Sequence, residues 1–254
     1  MSAPRSERRE QRLVFGEVAQ QYDAHRPSYP DALFDTIIDF GGLAAGDRAL
    51  EIGAGTGKAT LGFLARGLVV HALEPSAEMA AVAREKGIDV EVSLFEAWRP
   101  AQPVRLVYAA QAWHWVRGDD RYERVADALE PGGTFALFWN KGREWTGAIG
   151  AANDAVYAEH APHLQGGAAW NLERWLAEIA ACDAFEAPVV RSVPWSRTYT
   201  RNEWTDLLGT HSDHRILPDE QRSRLHAAVG DLIDRHGGSV DVVFDAVAYL
   251  SRRV

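Results

Sequence analysis

The chain has 254 residues, one cysteine and nine tryptophans, and 27 Lys and Arg against 36 Asp and Glu give a net charge of -9. That balance argues against a nucleic-acid surface, and the lone Cys182 excludes an internal disulfide framework. No apolar run approaches the ~20 residues of a membrane span, and the opening MSAPRSERREQR lacks the apolar stretch of a secretory signal. The expectation is a cytoplasmic globular protein, monomer or homodimer, whose partner is a small molecule rather than a nucleic acid or a membrane.

Taken in chain order, VFGEVAQQYDA predicts a helix over 13–23, and Pro27 and Pro30 break the chain before a second helix over 31–40. Apolar runs then recur at 48–52, 68–73, 90–94, 104–110 and 134–140. Helical patterns lie between them in KATLGFLARG, SAEMAAVAREKG and DDRYERVADALEPGG. Strand–helix alternation is the signature of a parallel sheet covered on both faces. Residues 141–180 read as mostly helical, with WNLERWLAEIAA as one clear segment. A strand over 187–196, helices near 201–209 and 218–236, and a last strand in VVFDAVAYLSRRV follow. No Ser/Gly/Pro-rich linker appears. One domain over 1–254 is therefore expected: cap helices in 1–45, a ligand-binding half in 46–140, and a C-terminal part in 141–254 that completes the sheet and adds helical insertions.

In such sheets, ligands bind beyond the carboxyl ends of the strands. There the sequence reads Ala49-Leu50-Glu51-Ile52-Gly53-Ala54-Gly55-Thr56-Gly57-Lys58. A phosphate P-loop is excluded, because Ala59 follows Gly57-Lys58 and Ile52 stands where the earlier glycine belongs. A dinucleotide fingerprint fits at Gly53 and Gly55 but has Lys58 at its third glycine. The second strand ends in Leu73-Glu74-Pro75-Ser76, where an acid can accept hydrogen bonds from an unphosphorylated ribose diol. A plain tight turn explains the glycines but not the acid.

The motifs ALEIGAGTGKAT, LEPSAEM and VYAAQAWHWV resemble those of the class I S-adenosylmethionine-dependent methyltransferases, and FGEVAQQYDAHRPSYP resembles the cap of their small-molecule, type 11 branch. The resemblance covers about 13–140 closely and the remainder loosely. It implies a Rossmann-like α/β sheet, mostly parallel with an antiparallel C-terminal strand, plus a helical cap. It implies S-adenosylmethionine as cofactor. Gly53, Ala54, Gly55 and Gly57 would then lie beside its methionyl part, with Glu51 steadying the loop and, through water, the amino group. Glu74 would hold the ribose hydroxyls, and Pro75 and Met79 would lie against the adenine. Phe95 and Glu96 would flank that ring, although Leu94-Phe95-Glu96-Ala97 departs from the family's usual third loop. Gln111 and Ala112 would line the sulfonium, with Tyr22 and Arg26 closing over it from the cap.

Methyl transfer from a sulfonium needs alignment and exclusion of water. Trp113, Trp115, Trp139 and Asn140 end the fourth and fifth strands and are expected around the acceptor, with Tyr29, Tyr199 and His211. Trp195 and Trp204 complete a set of about five tryptophans read as the wall of a dry pocket. Trp170 and Trp175 read as core. His114 is the general-base candidate; in the resembling family this histidine orders the loop. His160/His163 and His211/His214 stand three apart, without a third ligand at suggestive spacing, and no metal is expected. An oxygen acceptor, a carboxylate among the options, is favoured. A nicotinamide-dependent oxidoreductase and a non-catalytic cofactor-binding protein are the rival readings.

Overall fold

The short apolar runs become strands because they are too short for buried helices and are punctuated by Gly, Pro and Asp. The computed structural model describes residues 19–164 and 172–254. In chain order the elements are α1 (Ala19–His25), α2 (Asp31–Gly41), β1 (Arg48–Ile52), α3 (Lys58–Leu64), β2 (Val69–Leu73), α4 (Ala77–Glu85), β3 (Val90–Glu91) and β4 (Val104–Ala110). They continue with α5 (Arg121–Ala128), β5 (Leu129–Gly142), α6 (Gly147–His160), α7 (Leu172–Ala180), β6 (Val189–Thr200), α8 (Arg201–Gly209), α9 (Ser212–Arg215), α10 (Asp219–Arg235) and β7 (Ser239–Arg252). Single turns of 3₁₀ helix lie at Trp113–Trp115 and Pro162–Leu164. The start of the predicted first helix, and Trp170, lie outside the described residues.

The strands form one sheet in the order β3-β2-β1-β4-β5-β7-β6. β1 pairs in parallel with β2 and β4, β2 with β3, and β4 with β5. β7 runs antiparallel to β5: Gly132 N–H donates to Arg253 O (3.0 Å) and Arg143 N–H to Val243 O (2.8 Å), one number rising as the other falls. Chain order reverses between β1 and β4, so the loops leaving their carboxyl ends flank the switch point where ligands of open α/β sheets bind.

Two boundaries differ from the sequence expectation. The third strand ends at Glu91 rather than 94, because β2 offers partners only to Val90 and Glu91 at this sheet edge. The segment LEPGG belongs to β5 rather than to the preceding helix. Pro131 cannot donate within a helix, Gly132 has φ 73°, and Gly132 N–H and Gly133 O both pair with Arg253 at the far end of the chain. A partner so distant in sequence leaves no local signal.

The chain forms two compact units. One comprises the described residues of Ser28–Lys141, Asn171–Pro194 and Asp245–Val254; the other those of Met1–Pro27, Gly142–Trp170 and Trp195–Phe244. In the first, one face of the sheet carries Phe34, Phe63, Tyr108 and Phe138. Phe34 meets Phe63 edge-on at 5.1 Å, and Phe63 lies 4.5 Å from Tyr108. Full burial of such a ring contributes about 1.5–3 kcal/mol. A second cluster gathers Leu50, Val107, Trp113, Phe135, Leu137, Trp139, Trp175 and Ile179.

In the second unit Tyr199, Leu207, Leu208, Leu225, Val229, Ile233, Val242 and Phe244 form the core. α10 supplies Leu225, Val229, Leu232 and Ile233, the i, i+4, i+7, i+8 stripe of an amphipathic helix. α8 starts at a capping box: Thr200 accepts from Glu203 N–H, and the Glu203 carboxylate accepts from Thr200 N–H at 2.9 Å.

Candidate functional site

β1 delivers its buried residues directly into the glycine loop. Gly53, Gly55 and Gly57 all have positive φ, at 72°, 58° and 82°. At Gly53 the need for glycine is also steric: a Cβ there would stand 2.6 Å from Ala112 Cβ, so the loop after β4 rests on the loop after β1. At Gly57 a Cβ would meet Ile88 Cδ1 at 2.0 Å. Gly53 N–H and Ala54 N–H both donate to Leu73 O, at 2.8 and 3.0 Å, which ties the loop to the end of β2.

Glu74 follows β2 and is 7% exposed. Its Oε2 accepts from Gly55 N–H and its Oε1 from Ser76 N–H, each at 2.8 Å. A carboxylate oxygen has more than one lone-pair direction, so the chemistry of Glu74 is compatible with accepting from a diol while it braces the glycine loop. Ser76 caps α4 by accepting from Met79 N–H at 3.2 Å. Pro75 is half-buried, and the Met79 side chain is buried.

Glu51 is wholly buried. Thr60 and Tyr108 both donate hydroxyl hydrogens to its Oε2, the latter at 2.9 Å, while Oε1 is buried without a hydrogen-bond partner. Burial pushes this carboxyl up to about 8, against the pull of the two hydroxyls and with help from the negative charge of Glu74. Thr60 and Tyr108 had no part in the sequence reading. A lone hydroxyl inside the apolar run VRLVYAA is the signal that points to Tyr108.

After β4, Gln111 has φ 54°, a left-handed backbone for a non-glycine residue, and its N–H donates to Phe138 O at 2.9 Å. Positions of this kind persist only where the surroundings over-determine them. Ala112 is at the edge of burial. Glu96 Oε1 accepts from Arg117 N–H at 2.7 Å, which links the third loop to the fourth. His114 and Trp115 are half-exposed, with ring centroids 4.6 Å apart. Asn140 Nδ2 donates to Ser28 O at 3.0 Å, and Tyr29 packs edge-on to Phe138 at 5.0 Å, so the segment around 28–29 is held at the end of β5.

Several predicted wall residues prove to be core. Trp113 is fully buried against Tyr122 and Phe135, at 5.3 and 5.1 Å. Trp139 stacks on Trp175 at 4.4 Å and 14°. Phe95, expected beside the adenine, is also buried, with its ring 6.4 Å from Trp113. Large aromatic faces gain more from packing together than from lining a wet loop. Within the second unit, Trp195 stacks on Phe244, and Trp204 packs against Tyr199 and Trp145.

Tyr22, Arg26, Tyr199 and His211 belong to the second unit. There Arg26 lies over the Tyr22 ring at 5.3 Å and donates to Thr210 through Nε (2.8 Å to Oγ1) and Nη2 (3.0 Å to O). Tyr199 is buried and His211 half-buried. His214, spaced as a metal partner of His211, instead bonds His226 (Nδ1 to Nε2, 3.0 Å) and Tyr157 (3.2 Å). Burial holds His211 well below its usual pKa, with Arg26 adding to the effect, and burial also lowers His214 and takes His226 to about 4. Among the described residues no group of three or more His, Cys, Asp or Glu is placed to hold a metal. No helix of these residues is long and apolar enough to cross a membrane.

The donor set around the glycine loop fits S-adenosylmethionine. Gly55 has open space where a Cβ would stand, Glu74 presents acceptors to a diol, and the buried, partnerless Glu51 Oε1 suits an amino group. Residues 49–133 match the family model described as a methyltransferase domain. The chain is 29% identical over 237 residues to an uncharacterized methyltransferase of Mycobacterium tuberculosis, covering 90% of this chain and 89% of that one. It is 35% identical to trans-aconitate 2-methyltransferase of the same species over 108 residues, 41% of each chain. In three dimensions it is similar to a structure from Anaeromyxobacter dehalogenans described as a type II methyltransferase (TM-score 0.64, 22% identity, 89% of this chain and 97% of that one). The loop geometry at the switch point and the matched segment agree: residues 49–133 carry a methyltransferase domain, and the chain is similar to the class I methyltransferases, whose members use S-adenosylmethionine.

Proposed function

We propose that this methyltransferase moves a methyl group from S-adenosylmethionine to an oxygen of a small organic acceptor, with a carboxylate as the favoured class. The observation that carries the cofactor half of this reading is Glu74, whose two oxygens brace Gly55 N–H and Ser76 N–H beside the switch point. The partial similarity to trans-aconitate 2-methyltransferase supports the acceptor half.

When bound, S-adenosylmethionine supplies an activated methyl group with a neutral thioether as leaving group, so the transfer requires no metal. Glu74 takes the ribose diol, and its negative charge disfavours a 2′-phosphate. The glycine loop admits the methionyl part close to the main chain, and Glu51, ionising as a cationic amino group arrives, would offer Oε1 to it. Gln111 and Ala112 bound the reacting centre, where alignment and exclusion of water dominate the rate. A carboxylate acceptor is already ionised near neutral pH, so His114 orders the loop rather than removing a proton. The protein works as a cytoplasmic monomer or homodimer on a free small molecule.

Calorimetry with S-adenosylhomocysteine and with NAD tests the cofactor, and turnover against small acids, phenols and amines tests the acceptor. Binding of S-adenosylhomocysteine and methylation of an acid are expected. Binding of NAD alone would overturn the reading.

A further inference from the structure

Ala112 rests against Gly53, so whatever holds the turn after β4 also sets the glycine loop. Trp113 opens that turn, and its indole N–H donates to Tyr122 Oη at 3.1 Å. Tyr122 Oη donates in turn to Glu178 Oε2 at 2.7 Å. The same Oε2 accepts from Arg121 Nη2, while Arg121 Nη1 donates to Val116 O at 3.2 Å. One carboxylate on α7 therefore reaches both ends of the 113–116 turn, through Tyr122 at Trp113 and through Arg121 at Val116. Arg174 Nε steadies the other oxygen at 2.6 Å. The Arg121 guanidinium also lies over the Trp113 and Tyr122 rings at 5.5 and 5.1 Å. Burial opposes ionisation of Glu178, yet the Tyr122, Arg174 and Arg121 donors hold its carboxyl below its usual range. Charge-assisted bonds in a connected network are the strong ones.

We propose that Glu178 is a positioning residue whose carboxylate, acting through Tyr122 and Arg121, clamps the 113–116 turn and keeps Ala112 seated on Gly53. The clamp explains how Gln111 keeps its left-handed backbone: Phe138 O holds one side of the turn and the α7 carboxylate holds the other. Releasing the clamp lets Gln111 relax toward ordinary φ and lifts Ala112 from the glycine loop. No residue of α7 has a ligand role in the proposed reaction, so the effect is transmitted rather than direct. The inference rests on the reading of the glycine loop as the cofactor site.

The test combines S-adenosylhomocysteine calorimetry, thermal melts and proton–nitrogen spectra of the tryptophan indoles, with the Trp113 resonance assigned by Trp113→Phe. Glu178→Ala is expected to shift the Trp113 indole resonance and to weaken S-adenosylhomocysteine about tenfold. Glu178→Gln keeps an acceptor oxygen and should recover part of the affinity. Tyr122→Phe should weaken binding several-fold and, combined with Glu178→Gln, should be non-additive. Ile179→Val, in the core beside the clamp, should lower the melting temperature and leave affinity within twofold. Should Glu178→Ala fail to fold, Glu178→Gln and Tyr122→Phe carry the same comparison. Unchanged affinity and an unmoved indole resonance in the clamp variants would overturn the proposal. So would Ile179→Val weakening binding as much as the clamp variants do. A wild-type protein that binds no S-adenosylhomocysteine would sink the cofactor reading, and the indole resonance would then decide the clamp alone.

Discussion

The two units bury opposite kinds of ionisable group. In the sheet unit the buried acids are Glu51 and Glu74, beside the glycine loop. In the second unit the buried base is His214, bonded to Tyr157 and His226. Among the acids, Glu51 has a buried oxygen without a hydrogen-bond partner, and Glu74 accepts from two backbone N–H groups. The histidines are turned toward one another and satisfy each other. Buried acids therefore stand beside the glycine loop in one unit, and buried histidines pack on one another in the other.

The sharpest way to break this contrast is Gly53→Val. A side chain at φ 72° and 2.6 Å from Ala112 Cβ cannot be seated without moving both loops. Calorimetry should show S-adenosylhomocysteine affinity reduced by more than about a hundredfold, with the second unit's hydrogen exchange unchanged. Glu74→Ala comes next. It removes the proposed diol acceptor and the brace on Gly55, and binding should weaken by about 1.5–3 kcal/mol. Unchanged affinity would show the ribose to be elsewhere.

The pH dependence sharpens the contrast because the signs are opposite. The Glu51 pKa is raised from 4.5 to about 8 in the fold, so its contribution to stability is full below 4.5 and is lost as pH rises through about 8. The His226 pKa is lowered from 6.5 to about 4, so its contribution is full above 6.5 and is lost as pH falls through about 4. Thermal melts between pH 4 and 9 should fall at both ends. Glu51→Gln should flatten the alkaline limb alone and His226→Gln the acid limb alone; a shared response would remove the distinction. The smallest effect is expected from Thr200→Ala, which opens the capping box of α8. It should cost about 1 kcal/mol in denaturant unfolding and leave ligand affinity as in the wild type.

Much of the fold and part of the site were legible in sequence. The runs at 48–52 and 104–110 coincide with β1 and β4, and the helix over 31–40 with α2 but for one residue. The glycine spacing and Glu74 were readable because a tight turn and a strand-end acid are local chemistry. The tryptophans were not. Their positions at strand ends suggested a wall, whereas Trp139 faces Trp175 on α7, and Trp113 meets Tyr122 on α5. Which face of a loop a large ring turns to depends on what packs beside it, and that partner is a matter of tertiary structure.

The sequence by itself determined the alternation of elements, the loop that must be glycine, and the acid that follows β2, because backbone sterics and hydrophobic periodicity act over a few residues. Only the tertiary structure decided that LEPGG joins β5 through Arg253, that Thr60 and Tyr108 share one oxygen of Glu51, and that Glu178 reaches the turn at Trp113. Each of those contacts joins residues from separate segments: Thr60 and Glu51 stand 9 positions apart, Tyr108 and Glu51 57, and Gly132 and Arg253 farther still. They exist because a sheet covered on both faces leaves buried polar atoms that must find partners wherever the fold brings them.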